Sequence, residues 1–206
     1  MIPFVHLHVH SYYSLLDGQA SISRLVDKAM ADGMRGMALT DHGNMMGIKD
    51  FFNYVSKKKG GAAKDKKAAE AKLAALRDGS YQNAPDEKGV NPDAGKTNEE
   101  LIAECEKKIE KAQRILDFKP IFGCEMYCAR RTKADKKTKE DRSGWHLVVL
   151  AKNETGYHNL VKLVSRSWID GFYMKPRTDK ADLEQFKEGL IISSACLGGE
   201  IPRKIL

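Results

Sequence analysis

The sequence predicts an α/β fold, and three observations predict it. Short apolar runs rich in strand-forming residues recur along the chain, amphipathic helical stripes lie between them, and the two kinds of segment alternate. The runs "GMALTDHGN", "KPIFGCEMYCA", "WHLVVLAKN" and "GLIISSAC" read as strands. Alternation of this kind argues for a parallel sheet, open or closed into a barrel.

The first element is the opening "FVHLHVHSYYSLLDG". In an extended strand, successive side chains alternate between faces, so His6, His8 and His10 would share one side while Val5, Leu7 and Val9 pack behind it. A helix follows, with Ser21 as its N-cap, a stripe of Leu25, Val26, Ala29 and Met30, and Gly33 at its end. After "GMALTDHGN" a second helix is expected from about Gly47 to Lys58, and after "WHLVVLAKN" another from about Thr155 to Ser167.

Residues 57–117 interrupt this pattern. "AAKDKKAAEAKLAALRD" is a good helix former, and "GSYQNAPDEKGVNPDAGK" reads as a mobile, turn-rich linker. A second helix begins at Thr97, where Thr97 and Glu100 have capping-box spacing; Leu101, Cys105, Ile109, Ala112 and Leu116 form its stripe. The expected picture is an inserted helical hairpin.

At 206 residues, 42% hydrophobic and 31% charged, the chain has the composition of a folded globular protein rather than a disordered one. No apolar run approaches the roughly 18 residues of a membrane span, and "MIPFVHLHVH" lacks the basic start and apolar stretch of a secretory signal. A cytoplasmic protein with no membrane partner is expected. Cys105, Cys124, Cys128 and Cys196 match no common zinc-ribbon spacing and read as reduced thiols. The net charge of +7 is unevenly placed. Residues 57–117 hold 14 Lys and Arg against 12 Asp and Glu, whereas 130–142 hold 7 against 3. Arg130, Arg131, Lys133, Lys136 and Lys137 are the candidate contacts to nucleic-acid phosphates, with a solvated surface loop as the equal alternative.

The candidate chemistry gathers at strand ends. The first strand delivers His8 and His10, with Asp17 shortly after; the second delivers Asp41 and His42; the third Glu125; the last Cys196. Imidazole, carboxylate and thiolate are all metal-ligand types, and together they suit zinc, manganese or iron. One His-x-His is a weak signal, but several such groups converging without a cation would repel or desolvate one another. His146 opens its strand, which on a parallel reading puts it at the opposite rim, and geometry alone leaves it equally a ligand or a loop histidine.

With these segments assembled, the sequence resembles the polymerase and histidinol phosphatase (PHP) domain family, and within it the branch carried by bacterial replicative DNA polymerases. The resemblance rests on "FVHLHVHSYYSLLDG", "ALTDHGNMMG", "KPIFGCEMY", "HLVVLAKNETGYHNL", "GFYMKPR" and "GLIISSACLGGEI". It implies a distorted seven-stranded β/α barrel with up to three divalent metal ions at one rim. It implies ligands at His8, His10, Asp17, His42, Glu125, His146 and Cys196, with His6 and Asp41 as supporting groups. The family's final Asp-x-His motif is absent, so residues 1–206 are expected to be a C-terminally incomplete domain of a longer polymerase chain, with the insertion at about 57–117 outside the family pattern.

The function implied is a metal-dependent phosphoesterase, catalytic through metal at His8, His10, Asp17, His42 and Glu125 and acting as a 3′-to-5′ proofreading exonuclease. One alternative is a structural module that steadies the polymerase and docks a separate proofreading exonuclease; another is a free-standing phosphatase. The partners implied are DNA, the rest of the polymerase chain and other replicase subunits.

Overall fold

The computed structural model describes residues 4–85 and 90–206 and divides into two compact units, Met1–Tyr54 with Lys119–Leu206, and Val55–Phe118. The first unit is a mixed α/β body. Its helix α1, Ile22–Ala31, starts where the Ser21 hydroxyl accepts the Arg24 N–H, and it buries Ile22, Val26 and Ala29. Strand β1, Gly36–Leu39, is buried throughout. Strand β2, Lys119–Cys128, lies at the middle of the sheet. It pairs with β1 in parallel, with β3, Trp145–Ala151, in antiparallel, and with the two-residue β4, Arg177–Thr178, in parallel. Strand β5, Leu190–Ser194, runs antiparallel to β3. The five-stranded sheet is therefore mixed, which corrects the all-parallel expectation: pairing direction depends on where the chain returns, and no local pattern in β3 encodes that.

Alternation along β2 separates its two faces. Cys124 and Met126 join Val149, Leu160, Leu163 and Val164 in a core under helix α4, Glu154–Ile169, while Glu125 and Tyr127 point the other way. Two short helices, α5 at Lys180–Gln185 and α6 at Glu200–Ile205, flank β5.

The opening segment is not the expected strand. It makes one isolated bridge, His6 with Met37, and then bends at Leu7 and His8. Leu7 is exposed rather than packed behind a sheet. Backbone contact with β1 resumes at Val9, whose carbonyl accepts the Thr40 N–H at 2.8 Å. The bend ends the strict alternation of the three histidines.

The second unit takes most of the helix Ile48–Asp78 (α2), which runs unbroken through Gly60 and Gly61, and all of α3, Asn98–Asp117. The expected stop near Lys58 does not occur; the Lys- and Ala-rich flanks carry the helix across two glycines that each cost about 1 kcal/mol relative to alanine. Thr97 and Glu100 form both bonds of a capping box, and Leu76, Leu101 and Cys105 bury together with Leu73, Tyr81 and Ile102 against them. Lys66 bonds Gln113 and Arg77 pairs with Glu106, so the two helices run antiparallel as a hairpin. Residues 86–89 of the expected linker lie outside the described residues.

Candidate metal centre

Glu125 is the hub. It lies in the middle of β2 and is 1% exposed, so its carboxylate must be satisfied by protein groups or by bound ions. Oε2 has His10 Nε2 at 2.7 Å, His8 Nε2 at 3.0 Å and His42 Nδ1 at 3.7 Å. Oε1 has His146 Nδ1 at 3.0 Å and Cys196 Sγ at 3.8 Å. The Cys196 thiol is also 3.4 Å from His146 Nδ1, and Asp17 Oδ2 is 3.0 Å from His42 Nδ1. Of the seven residues expected as ligands, His8, His10, His42, His146 and Cys196 thus reach the Glu125 carboxylate, and Asp17 joins through His42. Two metal-sized groups share it: His8, His10 and Glu125, and His42, Glu125 and His146.

Each element reaches this point for a local reason. After the bend at Leu7 and His8, the exposed His8 and the half-buried His10 face Glu125, while His6 stays beside the start of β1 with its ring edge against Phe4. His42 follows β1 directly, and Gly43 turns the chain away with φ +71°, where a side chain would strain the backbone and meet Pro176 at 2.8 Å. His146 reaches the site because antiparallel pairing sets the start of β3 beside the end of β2, with Tyr127 opposite it. The Cys196 loop is tied in by the His146 N–H to Gly198 carbonyl bond, and it can approach only because residue 198 is glycine; a Cβ there would lie 2.9 Å from His146 Nδ1.

Asp41 sits outside the cluster. It is buried and accepts the Ser11 N–H at 2.6 Å and the Ser11 hydroxyl, fixing the opening segment beside the end of β1. Burial pushes its pKa up, against the lowering effect of the Ser11 bonds.

The electrostatics fit a cation. Burial alone would raise the Glu125 pKa, but His10, His146 and His8 outweigh it and hold the carboxyl well below the usual range. The Glu125 carboxylate pushes the His10 pKa up, whereas burial pushes the His42 pKa down, toward the neutral imidazole that a metal needs. Among the described residues His42 Nε2 is buried with no hydrogen-bond partner, and His10 Nε2 is buried with the Glu125 carboxylate 2.7 Å away. A buried nitrogen left without a partner costs free energy that a bound cation would recover. The donor set of imidazole, carboxylate and thiol suits zinc, manganese or iron.

Two further residues, Tyr127 at the site and Arg177 beneath the basic loop, are not among the sequence candidates. Tyr127 stacks on His42 at 4.2 Å between ring centroids and meets His146 edge to face; its place two residues after Glu125, on the same strand face, is the signal that marks it. Arg177 is fully buried and donates to the carbonyls of Gly171, Lys133 and Asp135. It reads in sequence as an ordinary surface cation.

The basic loop is pinned to the body. Arg131 donates to both oxygens of Asp141, Lys133 pairs with Asp182, Arg130 lies 4.3 Å over the Trp145 ring, and Lys136 donates to the Asp170 carbonyl. Asp141 in turn accepts the Thr138 and Lys137 N–H groups.

A mixed α/β body with histidines and carboxylates gathered at strand ends defines a class of domain whose site could hold metal, and comparison with known proteins gives the family. The PHP domain family matches residues 6–206, and the chain belongs to that family. It is similar to proteins named DNA polymerase III subunit alpha. The relative from Borreliella burgdorferi is 40% identical over 98% of this chain and 13% of its own length. Those from Treponema pallidum and Thermus aquaticus are 37% and 32% identical over 98% and 100% of this chain. The chain spans 12–13% of the length of these three relatives.

Proposed function

We propose that this chain is the PHP domain of a DNA polymerase III subunit alpha and that its cluster is a divalent-metal phosphoesterase site, working as a 3′-to-5′ exonuclease on misincorporated nucleotides. The observation that carries this reading is the convergence of His8, His10, His42 and His146 on the single buried carboxylate of Glu125. His8 and His10 would hold one ion with Glu125, and His42 and His146 another, with Asp17 and Cys196 completing a set of up to three. Such ions supply Lewis acidity toward a phosphodiester and stabilise charge on its attacking and leaving oxygens.

The protein's own groups do the rest. Tyr127 keeps the His42 ring in plane, Asp17 orients it through Nδ1, and Asp41 with Ser11 holds the segment that brings His8 and His10 to the site. His6 would act only as a support for that segment. In the basic loop, the proposed phosphate contacts are Arg130, Lys136 and Lys137, while Arg131 and Lys133 hold the loop in place. The seven-stranded barrel, the cytoplasmic location, and partnership with DNA, the rest of the polymerase chain and other replicase subunits belong to this same reading. No helix among the described residues is long and apolar enough to cross a membrane.

One observation favours a second reading, a structural module that docks a separate exonuclease. Among the described residues, the opening segment, which carries His8 and His10, touches the sheet by one bridge, His6 with Met37, and by the bonds of Val9 to Thr40. Metal would then brace the fold. Metal analysis of the full polypeptide, together with hydrolysis of a mismatched primer terminus, separates the two. Hydrolysis abolished by His42→Ala supports the phosphoesterase. Bound metal with no hydrolysis, and a melting temperature that falls when the metal is stripped, overturns it in favour of the brace.

A further inference from the structure

Beside the cluster lies a surface that the metal chemistry does not use. Trp168, in the last turn of α4, donates its indole N–H to the Gly43 carbonyl at 2.8 Å, next to His42 in the chain. Its ring lies nearly parallel to Phe172, with an interplanar angle of 18° and 5.5 Å between centroids, and both rings are exposed. The chain then makes a tight turn at Met174, φ +63°, bringing Tyr173 and Lys175 into a bridge. Lys175 places its ammonium 5.4 Å over the Tyr127 ring, which itself stacks on His42. Among the described residues Lys175 has no carboxylate within ion-pair distance, and the nearby Asp170 is 4.0 Å from Lys133.

We propose that Trp168, Phe172 and Lys175 form a ledge that holds the unpaired bases of a single-stranded nucleic-acid end beside the histidine cluster. Flat exposed rings and an exposed cation seated over a ring face rather than on a carboxylate match the two demands of a single strand: π-faces for its bases and positive charge for its phosphates. The basic balance of the chain points to the same occupant. A polypeptide covering this face would have to bring its own carboxylate to Lys175, whereas a nucleic-acid strand carries a phosphate at every nucleotide. The choice of substrate rests on the phosphoesterase reading; the test does not.

An oligonucleotide carrying 5-iodouridine at its single-stranded 3′ end is irradiated with the full polypeptide, and the attached peptide is identified by mass spectrometry. Attachment at Trp168 or Phe172 is expected. In parallel, Trp168→Ala and Phe172→Leu should each weaken binding of that oligonucleotide about tenfold, within the range found for removal of one base-stacking ring. Trp168→Phe, which keeps a ring but loses the bond to Gly43, should bind nearly as wild type. Attachment only at other sites overturns the proposal. So does Trp168→Ala binding normally while melting at lower temperature, the result expected if other polypeptide covers the face. Attachment and binding without hydrolysis leave the ledge standing and remove the phosphoesterase reading instead.

Discussion

His146 Nδ1 lies 3.0 Å from Glu125 Oε1, although one residue opens β3 and the other sits in the middle of β2. Antiparallel pairing folds the start of one strand back beside the end of the other, so the buried carboxylate faces His8 and His10 through one oxygen and His146 through the other. A carboxylate with both oxygens engaged in this way can bridge two cations.

Glu125→Gln tests that bridge. The amide keeps the shape but loses the charge, and it turns one oxygen site into a donor facing imidazole nitrogens. Removing a mere partner of a metal ligand commonly costs 10–100-fold in affinity, so removing a shared ligand should lower metal content at least about tenfold. Elemental analysis of the purified variant reads this directly. Metal at the wild-type level would mean that the histidines bind without the carboxylate.

The Asp41–Ser11 contact makes a prediction about folding rather than metal. Asp41→Ala leaves the buried Ser11 N–H and hydroxyl without their acceptor and should cost about 2–3 kcal/mol in urea unfolding. Ser11→Ala keeps the Ser11 N–H bond but removes the hydroxyl's bond to Asp41 and its acceptance of the Tyr13 N–H, and should cost about 1–2 kcal/mol. Because the two residues share the interaction, the double variant should fall short of the sum. Strict additivity would show that the contact contributes nothing.

These residues also show what was legible in the sequence. The ligand types stand out because imidazoles and carboxylates at successive strand ends have few reasons to gather without a cation, and six of the seven were placed at one rim from residue type and strand position. Strand geometry leaves His146 open between a ligand and a loop histidine, because the direction of β3 is set by a distant return of the chain, and it is the resemblance that marks it as a ligand. The opening segment differs from a strand because alternation of His6, His8 and His10 is a local pattern, whereas the bend at Leu7 and His8 that breaks it is not written in that alternation. Arg177 was invisible because its three acceptors are backbone carbonyls, which carry no sequence signature.

Gly60 and Gly61 lie inside α2, and a Cβ built on either meets nothing within 4 Å. Alanine at each position should stabilise the helical hairpin by about 0.5–1 kcal/mol, since it restricts the unfolded chain and adds no clash. Urea unfolding of Gly60→Ala and Gly61→Ala measures the gain. Destabilisation by either would show that the two glycines serve a bend or a contact that the helix does not display.

Asp141 gives the basic loop a defined response to acid. The Thr138 N–H and the Arg131 guanidinium, with the Lys137 N–H, hold its carboxyl well below the usual carboxylate range. A depressed folded-state pKa means that the unfolded chain binds the proton more readily, so this contribution to stability is fully present above the ordinary value of 3.8. It is lost as pH falls through the lower, folded value. The stability difference between the protein and Asp141→Asn should therefore be constant from neutral pH down to about 5 and shrink steadily below 4. Arg177 binds the carbonyls of Lys133 and Asp135 in the same loop and does not titrate in this range, so protease cleavage within 130–142 should increase in acid without the whole body unfolding. Urea titrations across pH, with limited proteolysis by an acid-active protease, check both parts. A difference that stays constant down to pH 2 would show that Asp141 carries no charge-dependent share of the loop's stability.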